Sequence, residues 1–200
     1  MPVKRLDRAK SRLRPLVVRA SDLALAFATD TVAACSAADG VHRIVVVTSD
    51  PDVSRAVSAF AAVVPDPGGG LNRAIRAGLA VLPPDAPAAV LTGDLPALRA
   101  ADLDLALLEA AGHEFAMVAD HTGSGTTMIT GARAGRLDPQ YGEHSRDRHE
   151  RAGHHVLDVP RGSALRLDVD TAADLETALL AGVGRFTARA IAEGAGAVLG

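Results

Sequence analysis

The sequence predicts an α/β domain, and three observations carry that expectation. Short apolar, β-branched runs end in a polar residue and a turn, as in VHRIVVVTSDP and AAVLTGDLP, and such runs read as buried strands. Segments with apolar residues at helical spacing alternate with them, which is the order of βαβ units. The 200 residues suffice for one sizeable core without disulfide or metal staples, so residues 1–200 are expected to form a single domain.

The stretch AAVLTGDLPAL, residues 88–98, organises the rest. It is apolar until one carboxylate, Asp94, appears at its carboxyl end before a turn into Leu95-Pro96. Ligands in open α/β sheets bind beyond strand ends. An aspartate there can hold magnesium, a hard cation that takes oxygen ligands and bridges substrate phosphates. The plainer alternative is that Asp94 caps the helix that follows.

The opening, PVKRLDRAKSRLRP, concentrates basic residues in an otherwise acidic chain. Lysines and arginines converging on one loop suit a triphosphate; otherwise this is a solvated terminus. Only Met1-Pro2-Val3 precede Lys4, so any first strand there is short. Apolar spacing over 21–37 predicts a helix capped by Ser21-Asp22. A strand over 41–48 ends in Ser49-Asp50-Pro51, a helix start. A short helix over 52–58 and a strand over 61–64 follow.

Three consecutive glycines, Gly68, Gly69 and Gly70, then open the helix that begins Leu71-Asn72. They let a ligand approach the backbone closely, although the pattern is neither GxGxxG nor a P-loop. A flexible connector is the alternative. After Asp94 come a helix over 101–110 and a strand over 114–119 ended by Asp120. HTGSGTTMIT, a Gly/Ser/Thr turn feeding an alternating strand, offers amides and hydroxyls to a phosphorylated acid or forms a plain hairpin.

YGEHSRDRHERAGHH, residues 141–155, carries His144, His149, His154 and His155. It lacks HExxH spacing and has no cysteine, so a loop and basic helix facing an anion is favoured over zinc. In LRLDVDTAADL, read as a strand, Asp168 and Asp170 share one face while Leu167 and Val169 face the core. Adjacent carboxylates repel, and a divalent cation resolves the repulsion. Thr171 and Asp174 make a capping-box-like helix start, and a last helix is expected over 184–192.

Composition excludes several classes. Hydrophobic residues are 48% of the chain but aromatics only 2%, which argues against stacking platforms for single-stranded nucleic acid. A net charge of −3 gives no field for nucleic acid or an anionic membrane. A lone cysteine, Cys35, suits a reducing compartment. No signal-peptide pattern or membrane-length apolar run occurs, so a soluble cytoplasmic protein is expected.

Together, PVKRLDRAKSRL, GDLPAL, GSGTT, YGEHS with a later histidine, and LRLDVDTAADL resemble the guanylyltransferases of coenzyme F-420 biosynthesis, which act on phosphoenolpyruvate or 2-phospho-L-lactate. The resemblance covers nearly the whole chain and leans to the actinobacterial, phosphoenolpyruvate branch. It implies a GT-A-like, Rossmann-like nucleotidyltransferase fold, with a mostly parallel central sheet and helices on both faces. It implies GTP and a small phosphorylated acid as ligands, Mg2+ as cofactor, and a downstream transferase that takes the labile product as a transient partner. By position, Asp94, Asp168 and Asp170 match the metal-binding aspartates, and Thr127, Gly142 and Ser145 match the residues holding the acid. Lys4, Arg5, Lys10 and Arg12 would stabilise the triphosphate and departing pyrophosphate. Gly68, Gly69, Gly70 and Asn72 are the candidates for nucleotide contact. A catalytically silent nucleotide-binding module of the same fold is the competing class, and the clustered aspartates argue against it.

Overall fold

A computed structural model describes residues 1–6 and 19–196. In chain order the elements are α1 (Ala20–Ser36), β1 (Val45–Val47), α2 (Pro51–Val57), β2 (Ala62–Val64), α3 (Leu71–Leu79), β3 (Ala88–Leu91), α4 (Ala100–Ala110), β4 (Phe115–Ala119), β5 (Thr126–Gly131), α5 (Ser145–Arg151), β6 (His155–Val156), α6 (Ala172–Ala181) and α7 (Arg185–Gly196). Short 3-10 turns occur at Ala134–Arg136 and Ala164–Arg166.

The helix starts follow from local chemistry. Asp50 accepts from the amides of Asp52 and Val53, with Pro51 at the first helical position of α2, where its missing N–H costs nothing. Thr171 and Asp174 form the capping box of α6. Buried Asp30, inside α1, accepts from the amides of Phe186 (3.1 Å) and Thr187 (2.8 Å) and so caps α7 from a distance.

β1 and β2 pair in parallel, and a second sheet has the order β3-β5-β4-β6. β4 and β6 are parallel, but β5 runs antiparallel to both β3 and β4. The α/β class expected from the sequence holds; the direction of β5 departs from a mostly parallel sheet. The turn over 120–125 is a hairpin, whereas a parallel partner needs a crossover of about a dozen residues.

Met1 to Val3 run beside β1, with Val47 N–H donating to Met1 O and Val3 N–H to Val47 O, both at 2.9 Å. Opposite them lies Gly93, where an added Cβ would stand 3.0 Å from Val3 Cγ2 and 3.2 Å from Pro2 O. The chain start thus fills the gap between β1 and the turn after β3.

Helices cover both faces. On one, Leu91, Ala116, Val118 and Met128 pack against Leu103 and Ala106 of α4. On the other, Val90, Met117 and Ile129 pack against Ile75 of α3 and Tyr141. Alternate residues of each strand serve the two layers, as the pleat requires. Leu23 and Phe27 of α1 pack with Leu175 and Ala178 of α6. Burying each such side chain is worth about 1.5–3 kcal/mol. Among the described residues no helix is long and apolar enough to cross a membrane.

The strand expected through Leu167 to Asp170 is not one. The 3-10 turn leads into extended chain in which Val169 N–H donates to Asp94 O at 3.0 Å. Leu167 and Val169 are buried as expected, so the alternation survives without a paired ladder. That single backbone bond carries Asp168 and Asp170 to the carboxyl end of β3.

Candidate active site

Past the end of β3 the chain is held from both sides. Thr92 N–H donates to Thr127 O at 2.9 Å, prolonging the ladder. Leu95 N–H donates to the Thr31 hydroxyl of α1 at 3.1 Å. Between these anchors, Asp94 lines a cavity of about 180 Å³ together with Lys4, Thr92, Gly93, Tyr141 and Asp170. Lys4, expected at the triphosphate, thus shares a cavity wall with two of the carboxylates. Its loop is anchored by Leu6 N–H donating to Asp50 Oδ2 at 3.0 Å. Lys10 and Arg12 lie outside the described residues.

Asp168 belongs to the same group electrostatically. Its carboxyl is pushed up to about 7, first by burial and then by the charges of Asp94, Asp120 and Asp170. His121, which the sequence analysis did not single out, bridges it to the next helix. Its Nδ1 lies 3.4 Å from Asp168 Oδ1 and its Nε2 3.3 Å from Asp174 Oδ1. Among the described residues no group of three His, Cys, Asp or Glu side chains already stands in an arrangement that grips an ion. The donor chemistry nevertheless fits a hard cation. Asp94, Asp168 and Asp170 offer oxygen ligands only, and mutual repulsion raises the proton affinity of Asp168 in the way a divalent ion would relieve.

Of the residues matched to the acid, Thr127 lies on β5, Ser145 opens α5 and Gly142 lies in the loop just before it. The register of β4 and β5 slips, with Val118 opposite Met128 and Ala119 opposite Thr126, which leaves Thr127 as the extra residue of a β-bulge. Bulges re-aim side chains beside active sites. Here the Thr127 hydroxyl is buried without a hydrogen-bond partner, as is that of Thr92. Ser145 is buried at the start of α5, its hydroxyl donating to Thr126 Oγ1 at 3.2 Å. Gly142 has φ +127°, a conformation open to glycine.

His149 holds this group in place. Gln140 N–H donates to its Nε2 at 2.9 Å, so the neutral ring carries its proton on Nδ1 and donates to Thr126 Oγ1, 3.1 Å away. Burial, then His154 and Arg148, push the imidazole down to about 4. His154 Nδ1 lies 3.0 Å from the carbonyl of His149, while its Nε2 is buried without a partner.

Two expectations change role. In the GSGTT turn, the Ser124 amide and Thr122 hydroxyl both bond Asp120, and an added Cβ at Gly125 would sit 2.5 Å from Asp120 Oδ2. The turn is therefore a self-satisfied hairpin, and Thr127 is its one member matched to the acid. Asn72, expected at the nucleotide, spends its amide on Tyr141: Nδ2 donates to Tyr141 O at 3.0 Å and Oδ1 accepts from Tyr141 N at 2.9 Å. It ties the glycine turn to the YGEHS loop. Gly68, Gly69 and Gly70 all have positive φ, at 71°, 81° and 99°, and are exposed, a turn that side-chain-bearing residues would strain.

A second cavity of about 430 Å³ lies beyond His121, with Arg146, Asp158, Arg161 and Arg166 in its lining. Arg166 donates to the carbonyls of Asp120 and Val159. Asp94 and Asp170 open onto the smaller cavity. His121 was missed because its partners are remote in sequence; its place directly after the strand-ending Asp120 was the available signal.

The same fold recurs in solved structures of low sequence identity. The fold matches a structure described as a nucleotide-diphospho-sugar transferase of Desulfovibrio desulfuricans, with a TM-score of 0.62 and 19% identity over 87% of this chain and 82% of that one. It also matches a CMP:2-keto-3-deoxy-manno-octonic acid synthetase solved with CTP, with a TM-score of 0.58 and 17% identity over 90% and 96%. The chain belongs to the family "Guanylyl transferase CofC like", which it matches over residues 1–192. Phosphoenolpyruvate guanylyltransferase of Streptomyces scabiei is 47% identical over 96% of this chain and 94% of its own length. The protein of the same name from Streptomyces coelicolor is 44% identical over 94% and 92%.

Proposed function

We propose that this chain transfers the guanylyl group of GTP to phosphoenolpyruvate, releasing pyrophosphate, in the biosynthesis of coenzyme F-420. The observation that carries the reading is the Val169–Asp94 backbone bond, which sets Asp168 and Asp170 beside Asp94 at a strand end facing Lys4. The names and 44–47% identity of the Streptomyces relatives support the choice of acid.

In this reading a phosphate oxygen of the acid attacks the α-phosphorus of GTP in line with the departing pyrophosphate. The nucleophile is already anionic, so no side chain has to remove a proton. Positioning and charge neutralisation are what remain for the protein to supply. Lys4, which lines the cavity with Asp94 and Asp170, would meet the leaving pyrophosphate. Thr127 and Ser145 offer hydroxyls to the acid, and the glycine at 142 leaves its approach clear. Magnesium held by Asp94, Asp168 and Asp170 would neutralise phosphate charge and align attacking and leaving oxygens. The Gly68–Gly70 turn would lie against the nucleotide, with Asn72 fixing its distance from the acid loop. The protein is taken to work in the cytoplasm and to hand its product to a downstream transferase.

Pyrophosphate release by purified protein tests the reading. It should require GTP and phosphoenolpyruvate together, and Ser145→Ala should raise KM for the acid about tenfold while hardly changing KM for GTP. Release that ignores the acid, or that runs equally with CTP, would overturn it.

A further inference from the structure

Arg148 is a cation without an anion. Its Nε and Nη2 are buried and have no hydrogen-bond partner, and among the described residues no carboxylate pairs with it. Leaving buried charged donors unmade is costly, and in a folded protein such groups are ordinarily satisfied by a partner or a ligand. Its neighbours on α5 are at least partly paired: Arg146, whose Nε is also buried without a partner, donates through Nη1 to Gly123 O at 3.1 Å, and Arg151 lies 4.0 Å from Asp147.

The place of this guanidinium is specific. A Cβ built on Gly142 would come 2.8 Å from Arg148 Nη2, so the planar group lies over the glycine of YGEHS. Ser145 is three residues earlier on α5, and residues at that spacing share a helix face. Gly142 and Ser145 are two of the three residues assigned above to the acid. The third, Thr127, also has a buried hydroxyl without a partner, next in sequence to the Thr126 that Ser145 bonds.

We infer that Arg148 binds the carboxylate of the phosphorylated acid, making it the residue that distinguishes a phospho-carboxylate from a simple phosphate ester. The inference rests on the proposed guanylyl transfer and adds a recognition group to it. Arginine's fork matches a carboxylate through two parallel N–H bonds, and Nε with Nη2 is one such edge. The phosphate must remain available to attack GTP, so the carboxylate is the group free to be held. A Cβ at 142 would crowd the guanidinium in this position, and the φ of +127° there itself favours glycine.

The test compares wild type, Arg148→Gln and Arg148→Lys on phosphoenolpyruvate and on ethyl phosphate, which lacks the carboxylate, with binding of each followed by calorimetry alongside turnover. Arg148→Gln should lower kcat/KM for phosphoenolpyruvate about tenfold or more and leave KM for GTP and the weak use of ethyl phosphate unchanged, so that the preference collapses. Arg148→Lys, which keeps the charge without the fork, should fall between, and it carries the test if the glutamine variant does not fold. A preference retained in both variants, or an equal loss on both substrates, overturns the assignment. Wild-type protein that binds phosphoenolpyruvate through Arg148 but transfers nothing would overturn the proposed function and leave this site standing. Protein that neither binds the acid nor transfers would overturn both.

Discussion

The amide of Asn72 and the backbone of Tyr141 close a ring of two hydrogen bonds, 3.0 and 2.9 Å long, across 69 residues of sequence. One end of this pair belongs to the helix after the three glycines; the other begins the loop that presents Gly142 and Ser145. Tyr141 is pinned again by its hydroxyl, which donates to Val90 O at 3.1 Å, and by its ring, which meets His149 edge-on at 5.0 Å. The helix after the glycine turn and the loop of Gly142 and Ser145 are thus braced by one side chain.

Asn72→Ala should therefore lower unfolding stability by about 1–3 kcal/mol, the cost of leaving partly buried backbone groups unpaired. It should also raise KM for the acid. Asn72→Asp should be worse, because a carboxylate oxygen would replace the donor facing Tyr141 O. Urea denaturation and steady-state kinetics check both; an alanine variant as stable and as tight for the acid as wild type would show that the brace is idle.

Asp168→Asn should separate stability from activity. Above pH 7 the ionised carboxylate is disfavoured by burial and by Asp94, Asp120 and Asp170, so the neutral amide should raise unfolding stability while abolishing transfer. Asp94→Asn should also abolish transfer with the fold kept, and chelation of magnesium should stop the wild type reversibly. Thermal melts at pH 8 and turnover assays decide; full rates in chelator would contradict the role given to the aspartates.

Much of this was legible in the chain because it is local. A carboxylate at the end of an apolar run marked Asp94, the Asp50-Pro51 and Thr171–Asp174 patterns marked helix starts, and alternation marked Leu167 and Val169 as buried. What escaped depends on partners far away in sequence. The antiparallel course of β5 is set by a turn stabilised through Asp120, and the bulge at Thr127 is visible only once β4 lies beside it. Asn72 reads as a helix-start residue near glycines until Tyr141 is seen against it, and nothing in HERAGHH announces that His149 will hold Thr126 and Gln140. A three-residue run before Lys4 also reads as too short for a strand, yet it docks on β1 because Val47 supplies both bonding partners.

His149 predicts a pH dependence whose sign is fixed. Its folded value, about 4, lies below the ordinary 6.5, so the unfolded chain binds the proton first. Its contribution is fully present above 6.5 and is lost as pH falls toward 4. At about 1.4 kcal/mol per pH unit the window is worth at most about 3 kcal/mol. Asp168 acts in the opposite sense over the same range, so the contribution is read as a difference. Wild type should lose stability relative to His149→Asn between pH 6.5 and 4 in urea titrations. Parallel curves would mean that the ring is not held neutral.

Lys4→Ala should weaken GTP binding more than binding of the acid, because a triphosphate concentrates more charge than one phosphate. Lys4 is exposed and lines the cavity with Asp94 and Asp170, so its loss should leave the melting temperature within a degree or so. Calorimetric affinity for GTP that does not change would remove Lys4 from the nucleotide site.

The most direct measurement is the mass of the product formed when the purified protein is given GTP, magnesium and equal amounts of phosphoenolpyruvate and 2-phospho-L-lactate. The guanylyl adduct of phosphoenolpyruvate should dominate, with pyrophosphate released in equal amount. A dominant phospholactate adduct would contradict the choice of acid, and GTP recovered intact with both acids unchanged would contradict guanylyl transfer itself.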